Sequence, residues 1–116
     1  MSEVTKRAHG SEACLGKSER LESLVSYADD SIVSKTILDK HAGTLTLFAF
    51  DRGQKLSEHT SPYDAVVQVV EGRARLTIDG QDHEVEAGEL IIMPAQVPHA
   101  VTAAERFKML LIMIRA

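Results

Sequence analysis

The stretch that decides the fold runs Gly53-Gln54-Lys55-Leu56-Ser57-Glu58-His59-Thr60-Ser61-Pro62-Tyr63-Asp64-Ala65-Val66-Val67-Gln68-Val69-Val70-Glu71-Gly72. It opens and closes on glycine turns, places a lone His59 six residues after the first glycine, and ends in an apolar strand. A second stretch, Gly88 to Ala103, has the same build. There the glycine is followed by five residues and Pro94, then by Pro98-His99 and another apolar strand.

Outward from these two stretches the chain reads as strands. Ile32 to Leu38 is rich in β-branched residues, and Asp39 to Gly43 is a turn. Thr44 to Phe50 alternates Leu45, Leu47 and Ala49 with Thr44, Thr46, Phe48 and Phe50, so both faces are apolar or small. After the loop at Pro62 to Asp64, Ala65 to Val70 is a strand and Glu71-Gly72 a turn. Ala74, Leu76 and Ile78 then alternate with Arg73, Arg75 and Thr77, a strand with one wet face. Asp79-Gly80 is a hairpin signal, and His83 to Glu86 returns from it. Leu90 to Met93, His99 to Thr102 and Phe107 to Ile114 complete the set. Strands at this spacing, with glycine at nearly every bend, predict an all-β sandwich or barrel.

Residues 1 to 16 show no periodicity and read as a loose tail. Leu21, Leu24, Val25 and Ala28 fall at helical spacing behind Ser18 as N-cap, which predicts a short helix over 18 to 28. The expected division is therefore a tail and helix over 1–31 and a barrel over 32–116.

The chain has 116 residues, enough for one domain with a real core but not for two. A hydrophobic share of 44% with 26% charged residues is an ordinary globular balance. A net charge of -4 with scattered Lys and Arg argues against nucleic acid or an anionic membrane as partner. The single Cys14 can form no intramolecular disulfide, and the polar N-terminus has no signal-peptide core, so a cytoplasmic setting is expected.

The two opening stretches resemble the motifs of the cupin family. The family's first motif runs glycine, five residues, histidine, one residue, histidine, three or four residues, glutamate, six residues, glycine. Gly53, His59 and Gly72 occupy that frame here, while Ser61 stands at the second histidine place and Ala65 at the glutamate place. The second motif runs glycine, five residues, proline, one residue, glycine, two residues, histidine, three residues, asparagine. Gly88, Pro94 and His99 match it, and Gln96 and Ala103 depart. The resemblance spans residues 32 to 114. It implies a double-stranded β-helix, or jelly roll, with its chemistry in the narrow interior.

Strand alternation points His59 and Ser61 one way, as it does Ala65, Val67 and Val69, and again His99, Val101 and Ala103. The cupin arrangement would turn all three sets inward, so that His59 and His99 meet as candidate metal ligands. Ser61, Tyr63, Ala65, Val67, Met93, Gln96 and Val101 would form the pocket. An imidazole on an apolar strand is ordinarily a satisfied core residue; two at the family's metal positions make a site worth testing. A neutral hydroxyl and an alanine in place of the other two ligands leave nothing to balance a divalent charge. The expected cofactor is therefore a divalent ion weakly held or absent, zinc, nickel or copper in preference to manganese or magnesium.

Two functions follow. One is a small-molecule binding or sensing module with an incomplete two-histidine site. The alternative is a metal-dependent enzyme of oxygenase, isomerase or decarboxylase type, using a third ligand such as Gln54, Tyr63, Asp64 or Gln96. His41 and His83 read as surface residues, and the methionines at 93, 109 and 113 as core or pocket wall. The run Met109 to Ile114 is apolar on both strand faces, which with the resemblance predicts a homodimer burying part of it or the strand near Ile32.

Overall fold

The structure, a computed structural model, describes residues 5–9 and 13–116. Its strands are β1 (Thr5–His9), β2 (Ile32–Lys40), β3 (Gly43–Phe50), β4 (Lys55–His59), β5 (Asp64–Ile78), β6 (Gln81–Glu86), β7 (Leu90–Met93), β8 (His99–Thr102) and β9 (Phe107–Ile114). They follow the hydrogen-bonded order β1-β2-β3-β9-β5-β8-β4, with β6 and β7 also paired to β5. The all-β fold read from the turn spacing, and the jelly roll that the cupin resemblance implies, are the observed architecture.

β5 is the hinge of the barrel. Its first half pairs with β9 and β7, and its second half with β6 and β8. The residues around Gly72, expected as a turn between two strands, are instead a bend within one. The ladder to β9 slips between Val69 and Glu71, and Gly72 takes φ +77°. A Cβ there would lie 2.5 Å from the Arg106 carbonyl oxygen, so only glycine lets β5 pass from one sheet to the other.

Between the sheets lies the main core, which includes Ile32, Phe50, Val67, Val69, Leu76, Val101 and Phe107, all buried. At one end the rings of Phe50 and Phe107 stack, with centroids 4.5 Å apart and planes at 13°. The inward residues of β9 then run Phe107, Met109, Leu111, Met113, opposite Phe50, Phe48, Thr46 and Thr44 of β3. The interior thus grades from stacked aromatics to thinner, more flexible side chains.

The outer face of β2, β3 and β9 carries a second cluster. Ile37, Leu47, Ala49 and Leu110 are covered there by Val25, with Cys14, Leu21, Leu24 and Tyr27 packed around them. This accounts for the two apolar faces of β3 and for much of the two-sided apolarity of β9. The helix expected over 18–28 is present only as one 3₁₀ turn, Leu21–Ser23, with no side-chain cap. A helix that short is marginal alone.

Polar anchors hold the strap. The Tyr27 hydroxyl donates to Glu71 at 2.5 Å, and Lys108 Nζ donates to the Glu22 carbonyl at 2.6 Å. Burial, followed by the bond to Glu71, pushes the Tyr27 hydroxyl well above its usual pKa. Arg106 donates to Asp51 at 2.7 Å and to Asp29 at 3.3 Å while lying over the Tyr27 ring. Within the expected tail, Thr5–His9 forms β1, pairing in parallel with the otherwise free edge of β2. Of that tail, residues 1–4 and 10–12 lie outside the described residues.

Candidate functional site

The site occupies the thinner end of the barrel, where β4 meets β8. The two strands pair Lys55 with Thr102 and Leu56 with Val101, then His59 with His99. Three steps on β4 are matched by two on β8, so one extra residue is inserted at Ser57-Glu58. The bulge reverses the parity of β4. Leu56 and His59, which a regular strand would point to opposite faces, both turn inward, and Glu58 stays exposed.

The His59 and His99 rings meet edge to face, with centroids 4.4 Å apart and planes at 73°. His99 is 3% exposed, whereas His59 lies at the mouth and is solvent-accessible. Each ring bonds through Nδ1 to the backbone carbonyl two residues earlier, Ser57 at 2.7 Å and Val97 at 3.1 Å. A carbonyl only accepts, so each Nδ1 bears the proton and each neutral ring keeps its Nε2 lone pair. Burial lowers the His99 pKa below its ordinary value, against a raising effect from the Val97 carbonyl and with a smaller lowering from the neighbouring His59. At neutral pH His99 is an uncharged imidazole.

The two rings border a cavity of about 150 Å³. Its walls are Phe48 of β3, Leu56 of β4, Ser61 of the following loop, Ala65 of β5, Met93 of β7 and Val101 of β8. Met109, Leu111 and Met113 of β9 close it. Of the seven pocket residues expected from sequence, Ser61, Ala65, Met93 and Val101 are in this wall. Val67 is wholly buried behind it. Tyr63 is 37% exposed, its side chain outside. Gln96 sits in the left-handed region at φ 67° and donates its backbone N–H to the Ser61 carbonyl at 2.7 Å, so it organises the rim rather than the wall.

Phe48, Leu56 and Leu111 were not expected in the wall. Phe48 could have been found by continuing the inward parity of β3. Leu56 could not, because the bulge is invisible to alternation.

The rim is fixed by short-range bonds. Ser61 Oγ accepts the Tyr63 N–H at 3.2 Å and donates toward Met113 Sδ at 3.9 Å. Asp64 accepts the Ala95 N–H at 2.8 Å, which commits it to the loop before β8. A broader depression of about 650 Å³ lies outside the barrel among Asp30, Asp51, Arg52, Glu105 and Arg106. It is polar and shallow, and the Arg106–Asp51 pair across it is already satisfied. The bond from Arg106 and the N–H of Asp30 hold the Asp51 carboxyl at about 2.

The barrel and its inward histidine pair define a member of the jelly-roll class with an interior site. The sequence profile of the Cupin domain matches residues 46–115, and the chain belongs to the cupin family. A conserved protein of unknown function from Streptococcus pyogenes is 34% identical over all of this chain and 96% of its own, with a TM-score of 0.82. The cupin 2 conserved barrel domain protein of Leptotrichia buccalis is 38% identical over 80% of this chain, with a TM-score of 0.77, and this chain spans 45% of its length. A cupin superfamily protein from Desulfitobacterium hafniense is 26% identical over 86% of this chain and 92% of its own, with a TM-score of 0.82. No protein of curated function matches the sequence at a significant level.

The metal that the cupin motifs imply can be tested against these side chains. Two of the four ligand places hold imidazoles with available Nε2 atoms; the other two hold Ser61 and Ala65. Among the described residues no group of three His, Cys, Asp or Glu could hold a metal ion. The donor set does not fit the family's divalent centre. No described helix is long and apolar enough to cross a membrane.

Proposed function

We propose that this cupin is a small-molecule binding or sensing module acting in the cytoplasm. The observation behind this reading is the apolar 150 Å³ cavity ending at two imidazoles with free Nε2 acceptors. A dry cavity of about that volume holds a benzene-sized molecule. A ligand of that size with one acidic O–H or N–H would place its ring among Phe48, Leu56 and the β9 side chains and donate to Nε2. The alternative, a metal-dependent enzyme, asks for a third, anionic ligand that no described residue supplies.

Titration of the isotope-labelled protein with phenol tests the reading. Millimolar phenol should shift the imidazole signals of His59 and His99 and the methyl signals of Met109 and Met113. Responses confined to the outer depression, or none at all, would sink it. A late divalent metal should bind only weakly at the histidine pair.

We further propose a homodimer. Leu90 and Ile92 of β7 are 56% and 53% exposed, and Ile114 and Leu38 are 47% and 36% exposed, whereas Ile32 is buried within the chain. Among the described residues β7 pairs only with β5, so its other edge and apolar side chains are open to a second copy. Light scattering should give a dimer mass for the parent and a monomer mass for Ile92→Lys; a monomeric parent at tens of micromolar refutes it.

A further inference from the structure

We propose that the cavity is a site for a soft monovalent cation, copper(I), bound by Nε2 of His59 and His99 and by the thioether sulfurs of Met93 and Met113. The inference rests on the reading of the histidine pair as a binding site, and goes beyond it in naming a donor set and an ion.

The sulfur donors follow from register. Ala65 of β5 is paired on one side with Met93 of β7 and on the other with Met113 of β9. The three residues form one row across the sheet, and all three line the cavity. Neighbours in such a row have Cβ atoms about 5 Å apart, and an alanine in the middle leaves the flanking thioethers free to converge in front of it. Met113 Sδ lies 3.9 Å from Ser61 Oγ, so this sulfur is directed to the cavity near its polar end. Across the cavity, His59 and His99 offer nitrogen donors already in the tautomer a metal requires.

Charge selects the ion. The imidazoles and thioethers are all neutral, and no carboxylate lines the wall. The cost of moving an ion from water to a low-dielectric interior rises with the square of its charge. Uncompensated, it is substantial even for a monovalent ion. A divalent ion would meet about four times that desolvation with no anion to offset it. Thioethers are soft donors that favour copper(I) and contribute little to zinc, manganese or magnesium. The single free Cys14 suits the reducing setting in which copper stays monovalent. Three methionines on a cavity wall also serve as adaptable packing, and the test is chosen to separate that role from ligation.

The full chain is used with Cys14→Ser, so that no thiolate competes. Copper(I), kept reduced with ascorbate, is titrated against the chromophoric chelator bicinchoninate, with silver(I) as a redox-inert check. One equivalent should be withdrawn from the chelator. Met93→Leu and Met113→Leu conserve volume and should preserve the fold. Each should weaken copper(I) binding by at least about tenfold, the loss known for mere supporting groups, while leaving the weak zinc affinity unchanged. His99→Gln should weaken both ions. On the unsubstituted methionines, X-ray absorption at the copper edge should show sulfur neighbours.

Nitrogen or oxygen neighbours alone, or leucine variants that bind copper(I) like the parent, would overturn the sulfur assignment while leaving a histidine site in place. Absence of any copper(I) competition would overturn the proposal outright. Phenol binding, read separately, decides the small-molecule reading.

Discussion

The two ends of this barrel are built from the same strands yet have different tasks. At the Phe107 end of β9, two rings stack at 4.5 Å and the neighbouring core is fully buried. At the Met113 end the same strand face borders a cavity whose wall includes an alanine, a serine and a mouth-side histidine. Every inward position on this strand is apolar, so hydrophobicity does not distinguish the ends. Volume and rigidity do. Aromatic side chains fill one end; at the other, unbranched thioethers and small residues leave space.

The largest expected effect breaks that contrast by truncation. Phe107→Ala removes half of the stack from a fully enclosed site and should cost about 3–5 kcal/mol. Met113→Ala enlarges a cavity that already exists, and its cost should fall near the lower end of the range for such truncations, about 2 kcal/mol. Denaturant unfolding of both variants measures the difference. Equal losses would mean that the cavity end is packed as tightly as the aromatic end.

How much of this was legible depends on which physical signal each feature leaves. The strands, their turns and the shared faces of Ala65, Val67 and Val69 and of His99 and Val101 follow from period-two patterning and glycine punctuation; that these faces turn inward followed from the cupin resemblance. The meeting of His59 with His99 followed from the resemblance to the two cupin motifs. The bulge that also turns Leu56 inward leaves no compositional trace, because it is an insertion in register rather than a residue type. Gly72 was legible as a bend but not as a bend within one strand, since only pairing on both sides distinguishes the two. The N-terminal segment has helical spacing but is held as an irregular strap by Glu71, Lys108 and Arg106, partners far away in sequence. Met93 and Met113 flank Ala65 through two different strand pairings, a neighbourhood no local reading reaches.

A second, smaller effect sharpens the contrast by adding the missing charge. Ser61→His with Ala65→Glu supplies the imidazole and carboxylate of the cupin pattern at the open end alone. The glutamate would rise between Met93 and Met113 and give a divalent ion the anion it lacks. The double variant should bind nickel or zinc stoichiometrically. A ligand at a hundred times its Kd raises stability by about 2.7 kcal/mol, so its melting temperature should rise on metal addition and fall with chelation. The parent's should barely move. A parent that already holds one tight divalent ion per chain would show that its donor set had been misjudged.

The smallest effect is a pH dependence that separates the ends by where they titrate. Burial lowers the folded-state pKa of His99 beneath the 6.5 of a free imidazole. Between the two values the unfolded chain binds more protons than the folded one, so stability rises with pH through that window. The contribution is complete above about pH 6.5 and is lost as pH falls toward the depressed folded value. Outside the barrel, Arg106 holds Asp51 at about 2 instead of 3.8, so that contribution is lost only between those lower values. Unfolding midpoints should therefore decline in two steps on acidification. His99→Gln should flatten the first and leave the second. An imidazole titration by nitrogen-detected resonance gives the direct reading, and a folded His99 titrating at or above 6.5 would contradict the burial argument. Because the proton added to His99 occupies Nε2, the atom offered to phenol or copper(I), occupancy of the cavity should fall as pH drops through the depressed folded value.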